Sequence, residues 1–329
     1  MQEECDMKKM KFSFNKALFL IWILIFIFIG MKAPAFFKPS YVIQVMLRNI
    51  VELGMVALPM TMIIVTGGID LSVGNTMILA AMLGGLAYTH WGVAVAICVT
   101  ILTGAVCGLI NGIIIAKLKI SPMVTTLATM YVYLGLARGI SEGNSVYSYS
   151  FAEWMGNAVI AGLPIQLWLF LILAVIFVVA LGKTTFGRKL YCMGLNSHAS
   201  RYSGIDTEKM TVLLYVVCGL VCALAAFIFL GRFTSVKYDA GTSFNLKVIT
   251  IVVLGGTSIS GGIGDMKGTL LGTLLIATLN SGLTVMNIPI DVQTIVQGSV
   301  LIIALVACAI VNSRARKKQI LKVGNEKPI

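Results

Sequence analysis

Charge is scarce in this chain. Lys, Arg, Asp and Glu together make only 12% of its 329 residues, about half the share of an ordinary soluble domain, and a water-soluble globular fold is excluded on that ground. Histidine occurs twice, at His90 and His198, far apart and with no Cys, Asp or Glu at ligand spacing, which excludes a metal centre or catalytic triad built on them. Seven cysteines lie mostly inside apolar stretches without disulfide or metal spacing and read as small packing residues. A nucleotide-binding loop is missing as well. Gly182-Lys183-Thr184 spells the end of one, but Phe177 stands where its first Gly is required, so any energy from ATP must come from another chain.

What the chain has instead is apolar surface: 58% hydrophobic residues and a mean hydropathy of +0.95. Apolar segments run over about 17–31, 49–66, 73–88, 93–116, 121–140, 165–182, 210–230, 248–260, 267–286 and 292–311. A spanning helix needs about 20 such residues, so the expected fold is an all-α polytopic membrane helix bundle of about ten spans (eight to ten). The first, though followed by Ala33-Pro34-Ala35, reads as an uncleaved signal-anchor helix because further spans follow. Threaded from a cytoplasmic N-terminus, the ten segments place 18 of the 25 basic residues inside and 7 outside, which favours both termini cytoplasmic. The expected organisation is a basic head (1–16), a transmembrane domain (17–312) with a cytoplasmic loop at 183–209, and a basic tail (313–329). The net charge of +12 belongs to these clusters and not to a nucleic-acid face.

Two segments echo one another: Met62 to Gly74 and Ile249 to Gly262 each run an apolar stretch into Gly-Gly, then a Ser and another Gly. Glycine interrupts helix and admits close approach, and paired interrupted segments in two halves of a transporter point to its pathway. Small-xxx-small spacing at Gly104, Gly108 and Gly112, at Gly135 and Gly139, and at Gly268 and Gly272 predicts close helix contacts. Within the spans the ionisable residues are essentially Glu52 and Asp70. Asp70 either lines a solute route or caps the following helix, and Glu52 reads as an interfacial partner of Arg48 one turn away. The far-side loop 141–164 covers helix ends or docks an outside partner. The 183–209 loop holds a helical stretch near Asn196 to Ser203 that Asn196 or Ser197 can cap.

Gly67 to Gly74 (GGIDLSVG), Gly187-Arg188 through Gly204-Ile205, and Gly255 to Gly262 (GGTSISGG) together resemble the permease family of bacterial ribose, arabinose and xylose ATP-binding-cassette importers, which includes autoinducer-2 permeases. The resemblance covers about residues 20 to 312. It implies an inner-membrane subunit, not itself an enzyme and needing no cofactor. The implied partners are a second permease subunit, identical or paralogous, a cytoplasmic ATPase that is commonly tandem, and an extracytoplasmic sugar-binding protein. By that resemblance Gly187, Arg188, Tyr191, Gly194, Asn196, Ala199, Arg201, Ser203, Gly204 and Ile205 match the element that couples the permease to its ATPase. Leu195 replaces a usual Gly, His198 a common acid, and Phe244-Asn245-Leu246-Lys247 a usual Tyr-Glu-Leu-Asp/Ala. The expected substrate is a monosaccharide, pentose-like or related, with autoinducer-2 as the alternative and an ion-coupled secondary carrier as the rival mechanism. Candidate pathway residues are Gly67, Gly68, Asp70, Ser72, Asn75, Thr125, Thr126, Gly255, Gly256, Thr257, Ser258, Asn280, Gln293 and Gln297, with Thr294 beside them; hydroxyls, amides and open backbone suit a polyhydroxylated solute better than fixed charge does.

Overall fold

The computed structural model describes residues 2–289, 291–304 and 306, with side chains from Asn15 onward except at 40 and 44; the basic tail lies outside the described residues. Helix α1 (Gln2–Lys32) leads through a 3-10 turn at Pro34–Phe37, one turn of α2 (Pro39–Tyr41) and a π-helical turn at Val42–Met46 into α3 (Leu47–Val65). Then come α4 (Val73–Lys117) and α5 (Pro122–Ile140). The 141–164 loop folds as strand β1 (Val146–Tyr147), helix α6 (Ser150–Asn157) and a hairpin of β2 (Val159–Ile160) and β3 (Leu163–Pro164). Next are α7 (Ile165–Lys183), the short α8 (Thr185–Leu195) and α9 (Ser197–Tyr202), α10 (Thr207–Phe233), and β4 (Ser235–Val236), which pairs antiparallel with β1. α11 (Phe244–Leu254), α12 (Met266–Val285) and α13 (Asp291–Ala304) complete the described chain.

Seven of these helices are long and apolar enough to cross a membrane. One, α4, has 45 residues, about 68 Å if straight and twice what a bilayer core needs. It folds back at Gly92, whose φ of 81° is non-helical. Gly84 then lies against Ala96 and Thr100, so the two apolar segments expected at 73–88 and 93–116 form a helical hairpin. The segment expected at 248–260 stops being helical at Leu254, since Gly255 and Gly256 end α11.

The core is built around α3, 89% buried within the protein and enclosed by α7, α10, α11 and α12. Burial from water does not hold such a bundle together in lipid; close van der Waals contact does. The Gly104, Gly108 and Gly112 ridge supplies it, pressing the second half of α4 onto the backbone of α10 at Gly219, Tyr215 and Val212. Gly268 and Gly272 likewise meet Gly255 and Ile251. The expected contact at Gly135 and Gly139 is not made within the described residues: nothing lies within 4 Å of a Cβ built at either. α6 closes the C-terminal end of α10, where Asn157 Nδ2 donates to the Gly231 carbonyl at 2.9 Å.

Candidate solute pathway and coupling surface

Both echo segments end their helices in the same hydrogen-bonded motif. After α3 the amide of Gly67 bonds to Ile64 O at 2.9 Å and that of Gly68 to Ile63 O at 3.0 Å. After α11 the amide of Gly256 bonds to Val253 O at 2.8 Å and that of Thr257 to Val252 O at 3.3 Å. This double closure requires a left-handed residue just past the helix, supplied by Gly67 (φ 84°) and Gly256 (φ 85°). The structural match is therefore shifted by one residue from the Gly-Gly to Gly-Gly alignment.

The two turns meet at α8. The Gly262 amide donates to the Val65 carbonyl at 2.8 Å. A Cβ built at Gly261 would lie 2.9 Å from Gly194 O and 3.0 Å from Gly67 N. At Gly194 itself, on α8, a Cβ would overlap the Val65 carbonyl and crowd Gly262 N. Tyr191 Oη, one turn earlier, donates to Gly264 O at 2.8 Å, and burial raises its phenol pKa to about 12, with Asp265 adding to the effect. Asp265 caps α12 through Lys267 N and accepts from Asn15 Nδ2 at 3.1 Å.

The outer face of α8 and α9 is exposed. Thr184 Oγ1 caps α8 by accepting from Gly187 N at 3.3 Å, and Asn196 Oδ1 caps α9 by accepting from Ala199 N at 3.0 Å, the latter as expected. Ser203 Oγ donates to Ala199 O, and Gly204 (φ 83°) turns the chain toward α10. There Asp206 accepts from Lys209 N at 3.0 Å; that bond and the Lys209 side chain hold its carboxyl below the usual carboxylate range. Arg201 reaches Glu208 at 3.2 Å in a solvent-exposed pair, of small energetic value. Arg188 is exposed, and so are the apolar Leu195 (73%) of α8 and Tyr202 (94%) of α9. Polarity alone gave no hint of those two.

Asp70, Ser72, Asn75, Thr125 and Thr126 form a second group, buried between α4 and α5. Asp70 Oδ1 accepts from both Ser72 N at 2.8 Å and Ser72 Oγ at 2.7 Å, closing the turn into α4 with negative charge at the positive end of its dipole. Asn111 Nδ2 donates to Ser72 Oγ at 2.9 Å. Thr126 Oγ1 accepts from Leu71 N at 3.1 Å, and Asn75 Nδ2 donates to Met130 O at 2.8 Å. Asp70 thus closes a turn onto Ser72, the residue before α4, and is not itself the cap: no side-chain cap hydrogen bond is made at the start of α4, and none of the five lines the cavity described next. Thr257 and Ser258 are buried in the 255–265 turn, with Ser258 N donating to Ile263 O at 2.9 Å.

Three expected pathway residues come together elsewhere. Asn280, Gln293 and Gln297 line a cavity of about 520 Å³ between α3, α10, α11, α12 and α13, and Gln297 Nε2 donates to Asn280 Oδ1 at 2.8 Å. Asn49, Glu52, Arg232, Ser243, Lys247 and Thr284 share the wall, and sequence reading assigned none of them to a site. Glu52 does not pair with Arg48. It binds Arg232 of α10, Nη1 to Oε2 at 2.7 Å, while Arg48 Nη2 turns to Asn157 O at 3.4 Å. Arg232 also donates to Arg48 O at 3.0 Å and Asn49 Oδ1 at 2.6 Å. Glu52 sits in an apolar segment where its charge cannot face lipid, and Arg232, two residues past the segment expected at 210–230, is the cation that α10 brings to it.

The described architecture agrees with sequence comparison. Residues 42–305 match the family model described as the permease component of the branched-chain amino acid transport system. The chain is 38% identical over 292 residues to the ribose import permease protein RbsC of Bacillus subtilis strain 168, covering 87% of this chain and 90% of that protein. It is also 38% identical over 303 residues to the autoinducer 2 import system permease protein LsrD of Photorhabdus laumondii, covering 89% and 90%, and 37% identical over 276 residues to LsrD of Escherichia coli K12, covering 81% and 83%. No solved structure matches. The chain belongs to this family of membrane transport permeases.

Proposed function

We propose that the chain is the permease subunit of an ATP-binding-cassette importer that carries a small polyhydroxylated solute, a pentose-like monosaccharide or autoinducer-2, across the bacterial inner membrane. On this reading both termini are cytoplasmic, about ten segments cross or enter the bilayer, and the Gly-Gly turns at 67–68 and 255–256 interrupt spans within it. A second permease copy or paralogue completes the pore, an external binding protein delivers solute, and a cytoplasmic ATPase grips α8 and α9.

The observation that carries the reading is the contact of α8 with both turns. Its outer face is exposed, basic and partly apolar, while Gly194 on its inner side meets the chain after α3 and the chain after α11. A motor that displaces α8 would move both helix ends together, as rigid coupling elements do. The relatives bearing the names ribose and autoinducer 2 permease support the solute class.

The deciding experiment reconstitutes the chain with its genomic neighbours, ATPase and binding protein, into liposomes. Uptake of D-ribose or autoinducer-2 that requires ATP and survives dissipation of ion gradients is expected. Uptake that continues without ATP and collapses with the gradients would overturn the proposal in favour of a secondary carrier.

A further inference from the structure

We infer that the cavity between α3 and α10–α13 takes a polyhydroxylated solute that bears a negative charge, with Lys247 as its counter-ion. The inference rests on reading this cavity as part of the import route, and it narrows the solute class within that reading. The size suits a small ligand: about 520 Å³ lies inside the range of small-molecule sites. The wall offers hydroxyl partners. After Gln297 Nε2 donates to Asn280 Oδ1, the Asn280 amide nitrogen and the Gln297 carbonyl oxygen retain hydrogen-bonding capacity.

The charges decide the rest. Glu52 supplies the only carboxylate among the described lining residues, and it is held by Arg232, which in turn is tied to Arg48 O and Asn49 Oδ1. That pair contributes no net charge. Lys247 is half-buried in the same wall and forms no salt bridge among the described residues, while Lys237 is exposed and adds a second positive charge to the lining. An ammonium group drawn partly out of water is costly until an anion meets it. A neutral sugar leaves that cost uncompensated; a sugar carrying a carboxylate or a phosphate ester removes it.

The test uses the assembled importer, with Cys5, Cys98, Cys192 and Cys308 replaced by Ser and a single reporter introduced by Ser243→Cys; Thr284→Cys is the second reporter if the first does not assemble. Anionic and cationic methanethiosulfonate reagents of similar size are compared, with D-ribonate, D-ribose 5-phosphate and D-ribose as protecting solutes. The anionic reagent is expected to react faster, and Lys247→Gln to lower the anionic-to-cationic rate ratio at least about fivefold. D-Ribonate or D-ribose 5-phosphate is expected to protect the reporter at concentrations where D-ribose does not, and the one that protects identifies the anion. A rate ratio unmoved by Lys247→Gln, with D-ribose protecting as well as its anions, overturns the charge inference and leaves the route standing. Failure of both reagents to reach either reporter overturns the reading of the cavity as route, and the inference with it.

Discussion

Gly194 of α8 lies so close to the Val65 carbonyl that a Cβ at position 194 would overlap the oxygen. The contact is backbone against backbone, so no side chain can swing aside to admit the methyl group. Gly194→Ala should push α8 off the ends of α3 and the 255–265 turn while leaving its exposed face available to the ATPase. The expected result is a complex that assembles and hydrolyses ATP at its basal rate, with solute-stimulated hydrolysis and uptake reduced at least about tenfold. The check is ATPase activity with and without binding protein in proteoliposomes.

Tyr191 tests the same junction more gently. Replacing it by Phe removes the hydrogen bond to Gly264 O and keeps the ring. One such bond is worth about 1 kcal/mol, so stimulated hydrolysis should fall by about fivefold, less than for Gly194→Ala. Equal losses in the two variants would show that the hydroxyl, and not the close backbone approach, joins α8 to the turn.

On the outer face, reversing charge at Arg188 together with Arg201 should abolish solute-stimulated ATP hydrolysis in subunits that insert normally. Arg201 also pairs with Glu208, and Glu208→Gln controls for that contact. Hydrolysis is expected to survive Glu208→Gln, since an exposed pair contributes at most about 1 kcal/mol. Unchanged hydrolysis in the double arginine variant would remove both arginines from the coupling surface.

Much of this architecture was legible in the sequence because lipid imposes simple rules. Apolar run length marked every helix from α1 to α13 that is apolar enough to enter a bilayer, and small-residue spacing marked the α4–α10 seam at Gly104, Gly108 and Gly112. What the sequence hid were relations between distant residues. Glu52 looks like the partner of Arg48 because four residues bring two side chains together on a helix, but Arg232, 180 residues on, is the charge that α10 delivers to it. The cavity was hidden for the same reason: Asn280, Gln293 and Gln297 were visible as polar residues in apolar surroundings, whereas Asn49 and Lys247 join them only through the packing of α3 and α11. Gly135 and Gly139 show the reverse failure, since a correct spacing motif found no partner among the described residues.

Breaking the Glu52–Arg232 pair should destabilise the subunit sharply. Both side chains are largely buried, at 6% and 14% exposure, and Glu52→Ala leaves a guanidinium without its counter-charge. Removing one partner of a buried pair costs about 3–5 kcal/mol, whereas replacing both by apolar residues is often near neutral. Thermal unfolding in detergent should therefore show a large loss for Glu52→Ala and a much smaller one for Glu52→Leu combined with Arg232→Met. Additive losses would mean that the two charges do not depend on each other.

The turn at Gly67 separates a conformational requirement from a steric one. A Cβ there has room, its nearest contact being Ser260 O at 4.0 Å, but the residue adopts a φ of 84°. Asn enters that left-handed region at modest cost, whereas a Leu there is strained by about 1–2 kcal/mol. Gly67→Asn should accordingly keep most uptake, Gly67→Leu should lose most of it, and the double change of Gly67 and Gly68 to Leu should block it. At Gly68 space does matter, because a Cβ would stand 3.1 Å from both Ile63 Cγ2 and Tyr215 Oη. Uptake measured in proteoliposomes, with surface expression as the control for insertion, distinguishes these cases. Survival of transport in the double Leu variant would reduce the pair to a helix junction with no part in opening the pore.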